Sequence, residues 1–159
     1  MFIKPDYNLK RLSDIDLEEL KSLGVIALLF DLDSTLMASK SGVYSQNVLD
    51  WLGRVRKEFF IAVVSNNKNS SYISKVKAVS DFPTLFCAAK PDTKKISEFI
   101  KQHNLTPDKC ALVGDRPLTD ILCGKRLGCR TILVDSVTAD SEKKIVRFVR
   151  FLERLTIRR

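Results

Sequence analysis

One repeating pattern constrains this chain more than any other. Short runs rich in aliphatic and β-branched residues (Val25–Phe30, Phe59–Val64, Leu85–Ala88, Cys110–Val113 and Thr131–Val134) alternate with segments of helical spacing. The intervening segments are "SQNVLDWLGRVRKE", "NSSYISKVKAVS", "PDTKKISEFIKQHN" and "TDILCGKRLG". In the third, Ile96, Phe99 and Ile100 form an apolar stripe one helical turn apart. Ser45 suits the N-cap of the first helix, Pro91 the first turn of the third, and Gly128 the stop of the last. Strand and helix in alternation imply a parallel sheet with helices on both faces. Strands that are apolar throughout fit a sheet covered on both sides. The expected fold is α/β, a Rossmann-like three-layer sandwich with a mainly parallel five-stranded sheet, in one domain over residues 1–159. A short lead-in helix in "LSDIDLEELKSLG" falls within residues 1–24, and a further helix within 140–159. No internal repeat, low-complexity tract or linker interrupts the pattern.

In an open sheet of this kind, ligands bind beyond the carboxyl ends of the strands. The first strand is followed by Asp31-Leu32-Asp33-Ser34-Thr35, and the second by Ser65-Asn66-Asn67. Lys90-Pro91 comes shortly after the third, Gly114-Asp115-Arg116-Pro117-Leu118-Thr119-Asp120 at the fourth, and Asp135-Ser136 after the fifth. Hydroxyls, amides, a lysine and several carboxylates therefore converge on one edge. Taken singly, each group is ordinary turn or cap chemistry. Their order after successive strands is what points to a site.

Two carboxylates at the end of a buried strand repel each other and resist burial, so a divalent cation is the natural compensation. Mg²⁺ is the expected cofactor, with Asp31, Asp33 and Asp115 as candidate ligands. Asp31 is the candidate nucleophile toward a phosphoryl group. Asp33 is the candidate acid and base, protonating the leaving oxygen and then activating water. Lys90 would offset the gathered negative charge. Thr35, Ser65 and Asn66 are candidates for holding substrate oxygens. Gly114 and Asp120 are read as supporting residues, although Asp120 also fits a solvated or helix-capping role.

The motifs "DLDST", "SNN", "AAKP" and "GDRPLTD" resemble the four motifs of haloacid dehalogenase (HAD) superfamily phosphatases. The second aspartate of "DLDST" resembles the phosphatase branch. The longer stretches "DIDLEELKSLGVIALLFDLDSTL", "VVSNN" and "VGDRPLTDILCGKRLGCRTILV" are similar to the YqeG-like, subfamily IIIA group. That group includes phosphatidylglycerophosphate phosphatases of mitochondria and plastids. The resemblance spans residues 2–137. It implies Mg²⁺-dependent hydrolysis of a phosphomonoester through an aspartyl-phosphate, with phosphatidylglycerophosphate as the suggested substrate. A phosphoprotein, a nucleic-acid end or a soluble metabolite stays open as substrate, as does a non-catalytic binding role for the fold. Two positions depart from the group: Ser34 stands where Asn is usual, and Arg116 where Gln is frequent. Arg116 is expected either in solvent, the favoured placement, or against a second anionic group of the substrate.

A receiver-type signalling module shares the sheet, the acids and the lysine. It would place its acceptor aspartate after the third strand, where this chain has Ala88-Ala89-Lys90. Leu36 to Lys57 holds one loop and one helix, which leaves no room for a sizeable cap domain, so the site should admit large substrates. The net charge of +8 favours anionic partners, among them a phosphorylated substrate and acidic lipid. Nucleic acid is disfavoured because no basic groove interleaved with aromatics is visible. Cys87, Cys110, Cys123 and Cys129 form no CxxC pair and read as reduced thiols, and His103 is the only histidine. No leader or membrane-spanning run is apparent. The expectation is a cytoplasmic protein, soluble or peripheral on the inner face of a membrane. In "SEKKIVRFVRFLERLTIRR", Ile145, Phe148, Val149, Leu152 and Leu155 share a helical face, and Lys144, Arg147, Arg150, Arg154 and Arg158 occupy the rest. The apolar face is expected to pack on the sheet with the arginines solvated. Peripheral contact with an anionic membrane is the alternative.

Overall fold

The computed structural model describes residues 3–137 and 144–157. The sheet strands are β1 (Tyr7–Asn8), β2 (Ala27–Phe30), β3 (Phe60–Val64), β4 (Thr84–Leu85), β5 (Cys110–Gly114) and β6 (Arg130–Leu133). They lie in the order β1-β6-β5-β2-β3-β4, and every pairing is parallel. The helices are α1 (Leu17–Ser22), α2 (Gln46–Val55), α3 (Ser70–Val79), α4 (Lys94–Gln102), α5 (Leu122–Leu127) and α6 (Lys144–Leu155). Phe30 of β2 lies opposite Val63 of β3 and Val113 of β5, so the motif-bearing strands end level with one another.

The period of two along each strand divides the core. Leu28, Phe30, Ile61, Val63, Val113 and Ile132 pack on one face, beneath Trp51, Leu52 and Val55 of α2. The Phe30 and Trp51 rings meet edge to face with centroids 5.8 Å apart. Ala27, Leu29, Ala62, Val64 and Leu112 pack on the other face against Ile96, Phe99 and Ile100 of α4 and Cys123 of α5. Each of the buried Val, Leu, Ile and Phe side chains among them contributes about 1.5–3 kcal/mol. The result is the expected three-layer α/β arrangement. Ser45 caps α2 by accepting from the Val48 N–H, and Gly128, at φ 84°, ends α5.

The sheet has six strands where five were expected. The extra strand, β1, is a two-residue edge piece that carries no sequence periodicity. It is secured by Asp6, whose carboxylate accepts from the Thr131 N–H at 2.8 Å and the Thr131 hydroxyl at 2.9 Å. The expected strand Leu85–Ala88 shortens to Thr84–Leu85, because Cys87 and Ala89 take positive φ. Pro91 is not in the first turn of α4, which starts at Lys94 with Asp92 accepting from the Lys94 N–H. The lead-in segment forms a 3₁₀ turn at Leu12–Asp14 and then α1, capped by Asp16. Residues 31–45 join β2 to α2 without an inserted domain.

The largest departure is α6. Its apolar side chains Phe148, Phe151 and Leu155 are each 58% exposed, whereas Glu153 is buried. Its polar face is turned toward the strand-end edge, opposite to the expected packing. Residues 140–143 and 158–159 of the expected helix, and the Ile145 side chain, lie outside the described residues.

Candidate active site

The site begins where β2 ends. The Asp31 N–H donates to Val113 O at 2.8 Å, prolonging the β2–β5 ladder by one residue and fixing the carboxylate's root. The chain then turns through Ser34 at φ 68°, closed by the Ser34 N–H donating to Met37 O at 2.8 Å. Beyond β3, Asn66 clamps a neighbouring segment: its Nδ2 donates to Lys90 O at 2.9 Å, and its Oδ1 accepts from the Lys90 N–H at 2.7 Å. Lys90 is thereby aimed inward. Its Nζ donates to Asp31 Oδ1 and to Asp120 Oδ1, each at 2.7 Å.

Gly114 ends β5 against Asp120. A Cβ there would lie 2.2 Å from Asp120 Oδ2, so only glycine lets that carboxylate approach. Asp120 Oδ2 also accepts from the Arg116 N–H at 3.1 Å. Carboxylate oxygens of Asp31, Asp115 and Asp120 all lie within 4.8 Å of one another. A buried all-oxygen donor set of this kind fits Mg²⁺. Asp115 accepts from the Thr35 hydroxyl at 3.1 Å and ion-pairs with Arg150 of α6.

Electrostatics follow from this crowding. Burial, reinforced by the Asp120 charge, pushes Asp31 up to about 6 even though Lys90 pulls it down. Burial works against the Lys90 charge, but Asp120 and Asp31 outweigh it, and the ammonium is held above its ordinary value. Tyr72 is held above the usual phenol range by burial and by its hydrogen bond to Asp33.

Asp31, Lys90, Asp115 and Asp120 thus come together, and Asp31 and Lys90 line a cavity of about 310 Å³ with Ser65 and Asn66, while Asp115 and Asp120 lie buried behind it. Three expected placements change. Asp33 lines the cavity but stands apart from the carboxylate cluster; Asp120 takes its place there. Asp33 Oδ1 instead accepts from the Tyr72 hydroxyl at 2.7 Å and the Lys40 N–H at 2.8 Å. Thr35, expected among the substrate contacts, is fully buried and directs its hydroxyl to Asp115. Arg116, expected in solvent, makes a two-point ion pair with Glu153 of α6 at 2.6 and 3.3 Å.

Tyr72 and Glu153 were not singled out by sequence, and Arg150, expected among the solvated arginines of the last helix, instead reaches Asp115. Tyr72 sits one turn into α3, whose N-cap Asn69 follows "SNN" closely, a faint signal at most. Arg150 and Glu153 had none, since a helical wheel does not say which face turns inward.

The family described as HAD-hydrolase-like matches residues 87–148. The probable phosphatase YqeG of Bacillus subtilis is 30% identical over 96% of this chain and 88% of its own length. The chain belongs to the YqeG-like group of HAD-superfamily phosphatases. The chloroplastic and mitochondrial phosphatidylglycerophosphate phosphatase 1 of Arabidopsis thaliana is 33% identical over 99% of this chain and 48% of its own length. A predicted HAD-like family hydrolase from Porphyromonas gingivalis shares the fold, with a TM-score of 0.58 at 14% identity over 81% of this chain and 98% of that one. Among the described residues, no helix of this phosphatase is long and apolar enough to cross a membrane.

Proposed function

We propose that this phosphatase is a Mg²⁺-dependent phosphomonoesterase that works through an aspartyl-phosphate on Asp31, and that its substrate is the lipid phosphatidylglycerophosphate. The observation that carries the chemistry is the Asp31–Lys90 contact of 2.7 Å at the wall of an open cavity, backed by the buried Asp115 and Asp120 carboxylates. An Asp31 oxygen attacks phosphorus, the bond from phosphorus to the leaving alcohol breaks, and Asp33 gives that oxygen its proton. Water, yielding a proton to Asp33, then attacks the same phosphorus. The bond to Asp31 breaks and phosphate leaves.

Lys90 orients Asp31 and offsets charge on the phosphoryl oxygens. The Tyr72 hydroxyl steadies Asp33 through its 2.7 Å bond. Ser65 and Asn66 border the space the phosphoryl group would fill. Asp31 and Asp115 would hold Mg²⁺, which when bound supplies positive charge against the transferring group. Because burial lifts Asp31 to about 6, its reactive anionic form is depleted as pH falls through that value. Turnover should drop below it, with the midpoint displaced to lower pH when Mg²⁺, which competes with the proton for the carboxylate, is at saturation.

The lipid assignment is supported by the absence of an inserted domain between β2 and α2, and by the Arabidopsis relative. The test is phosphate release from phosphatidylglycerophosphate in mixed micelles beside soluble phosphomonoesters, with and without Mg²⁺, for the wild type and Asp31→Asn. Metal-dependent release from the lipid, lost in the variant, is expected. Release from soluble esters alone would remove the lipid and keep the chemistry.

A further inference from the structure

The α6 helix is amphipathic and sits with its polar side inward. Arg150 meets Asp115, Glu153 meets Arg116, and Arg154 meets Asp135 at 2.7 Å and Val134 O at 3.2 Å. These contacts fix the helix's rotation. A helix that merely covers a core turns its apolar stripe toward that core. Here Phe148, Phe151 and Leu155, each 58% exposed, face away from the sheet, with Leu152 beside them at 45%. A contiguous exposed apolar band marks an interaction surface.

The charges beside the band identify its partner. Lys144 and Arg147 are exposed on α6. The helix's one carboxylate, Glu153, is buried and paired with Arg116. The outward side therefore offers aromatic and leucine side chains flanked by cations, with no acid. That chemistry suits the boundary between acyl chains and anionic headgroups. A second copy of the chain would set Lys144 and Arg147 against their own counterparts.

We propose that the outer face of α6 docks the protein on an anionic lipid bilayer. Arg150, on the inner face of the same helix, lines the catalytic cavity, so docking brings the cavity mouth to headgroup level. Leu118, 38% exposed on the 117–121 turn, and Val137, 52% exposed and bonded through its N–H to Ser34 O, add apolar surface on the same edge. The proposal deepens the lipid-substrate reading and rests on it for its purpose, but the docking itself is tested without any phosphomonoester.

The experiment is vesicle flotation of the full chain with phosphatidylcholine alone and with added phosphatidylglycerol. Wild type should float with the anionic vesicles, and Phe148→Ser/Phe151→Ser should bind about tenfold more weakly or not at all. Thermal unfolding establishes that the variant is folded. In a second measurement, Phe151→Trp emission should shift to the blue on anionic vesicles, against the buried Trp51 as background. Absence of flotation by wild type, equal binding by the double variant, or an unshifted emission overturns the proposal. So does light scattering that finds a dimer which the double variant dissociates, since the face then belongs to a second copy. Docking without lipid hydrolysis removes the substrate reading alone; hydrolysis without docking removes this one alone.

Discussion

Helices α4 and α6 have the same two-sided chemistry and opposite orientations. In α4, Ile96, Phe99 and Ile100 are buried against Leu29, Ala62 and Leu112. In α6, Phe148, Phe151 and Leu155 are exposed, and Glu153 is buried. Helical periodicity gives a helix two faces. The surface beneath it decides which one turns inward. Under α4 lies an apolar sheet face; under α6 lies the strand-end edge with Asp115, Arg116 and Asp135. Laying phenylalanines over Asp115 would strip a carboxylate of its partners, a cost larger than the gain from covering them.

Substitutions can break or sharpen this contrast. The largest effect should come from the charged edge itself. Lys90→Met leaves Asp31 and Asp120 buried without their shared cation, and should cost about 3–5 kcal/mol in urea unfolding, together with phosphatase activity. Beneath α4, Ile96→Ala removes a fully buried side chain and should cost about 3 kcal/mol by the same measurement.

Arg150→Gln should act on cation binding, because the Arg150 guanidinium already sits against Asp115 in the carboxylate cluster. Calorimetry of the metal-free protein should show Mg²⁺ or Mn²⁺ binding about tenfold tighter in the variant, equivalent to about 1.4 kcal/mol. Unchanged affinity would mean that the ion pair does not compete with metal. Phe148→Ser on α6 should be the mildest, within about 0.5 kcal/mol of wild type. A loss approaching that of Ile96→Ala would erase the distinction between the two helices.

The contrast also marks what sequence can and cannot reveal. The apolar runs specify the central strands because burial on both sides leaves no other use for them. Asp31, Lys90 and Asp115 were legible because they follow successive strands of a parallel sheet, whose carboxyl ends must lie together. The two-residue β1 was not, since its placement depends on Asp6 finding Thr131, 125 positions away. Thr35 was assigned to substrate because a hydroxyl near an acid pair has two possible uses, and only its burial selects Asp115 over solvent. Asp33 parted from the carboxylate cluster for a similar reason. Tyr72, one helix later, supplies a donor that draws it aside.

The sheet's order has a consequence for how the molecule opens. Its edges, β1 and β4, are two residues each, while β2, flanked by β5 and β3, is its centre. Local fraying starts at short edges and reaches the middle last. Lys90 is the one site group that follows an edge strand, and it is tied by both backbone polar atoms to Asn66 at the end of β3. When β4 detaches, the ammonium stays with the interior. In hydrogen exchange, the Lys90 amide should therefore exchange with the β3 class of amides and outlast those of its own neighbouring strand.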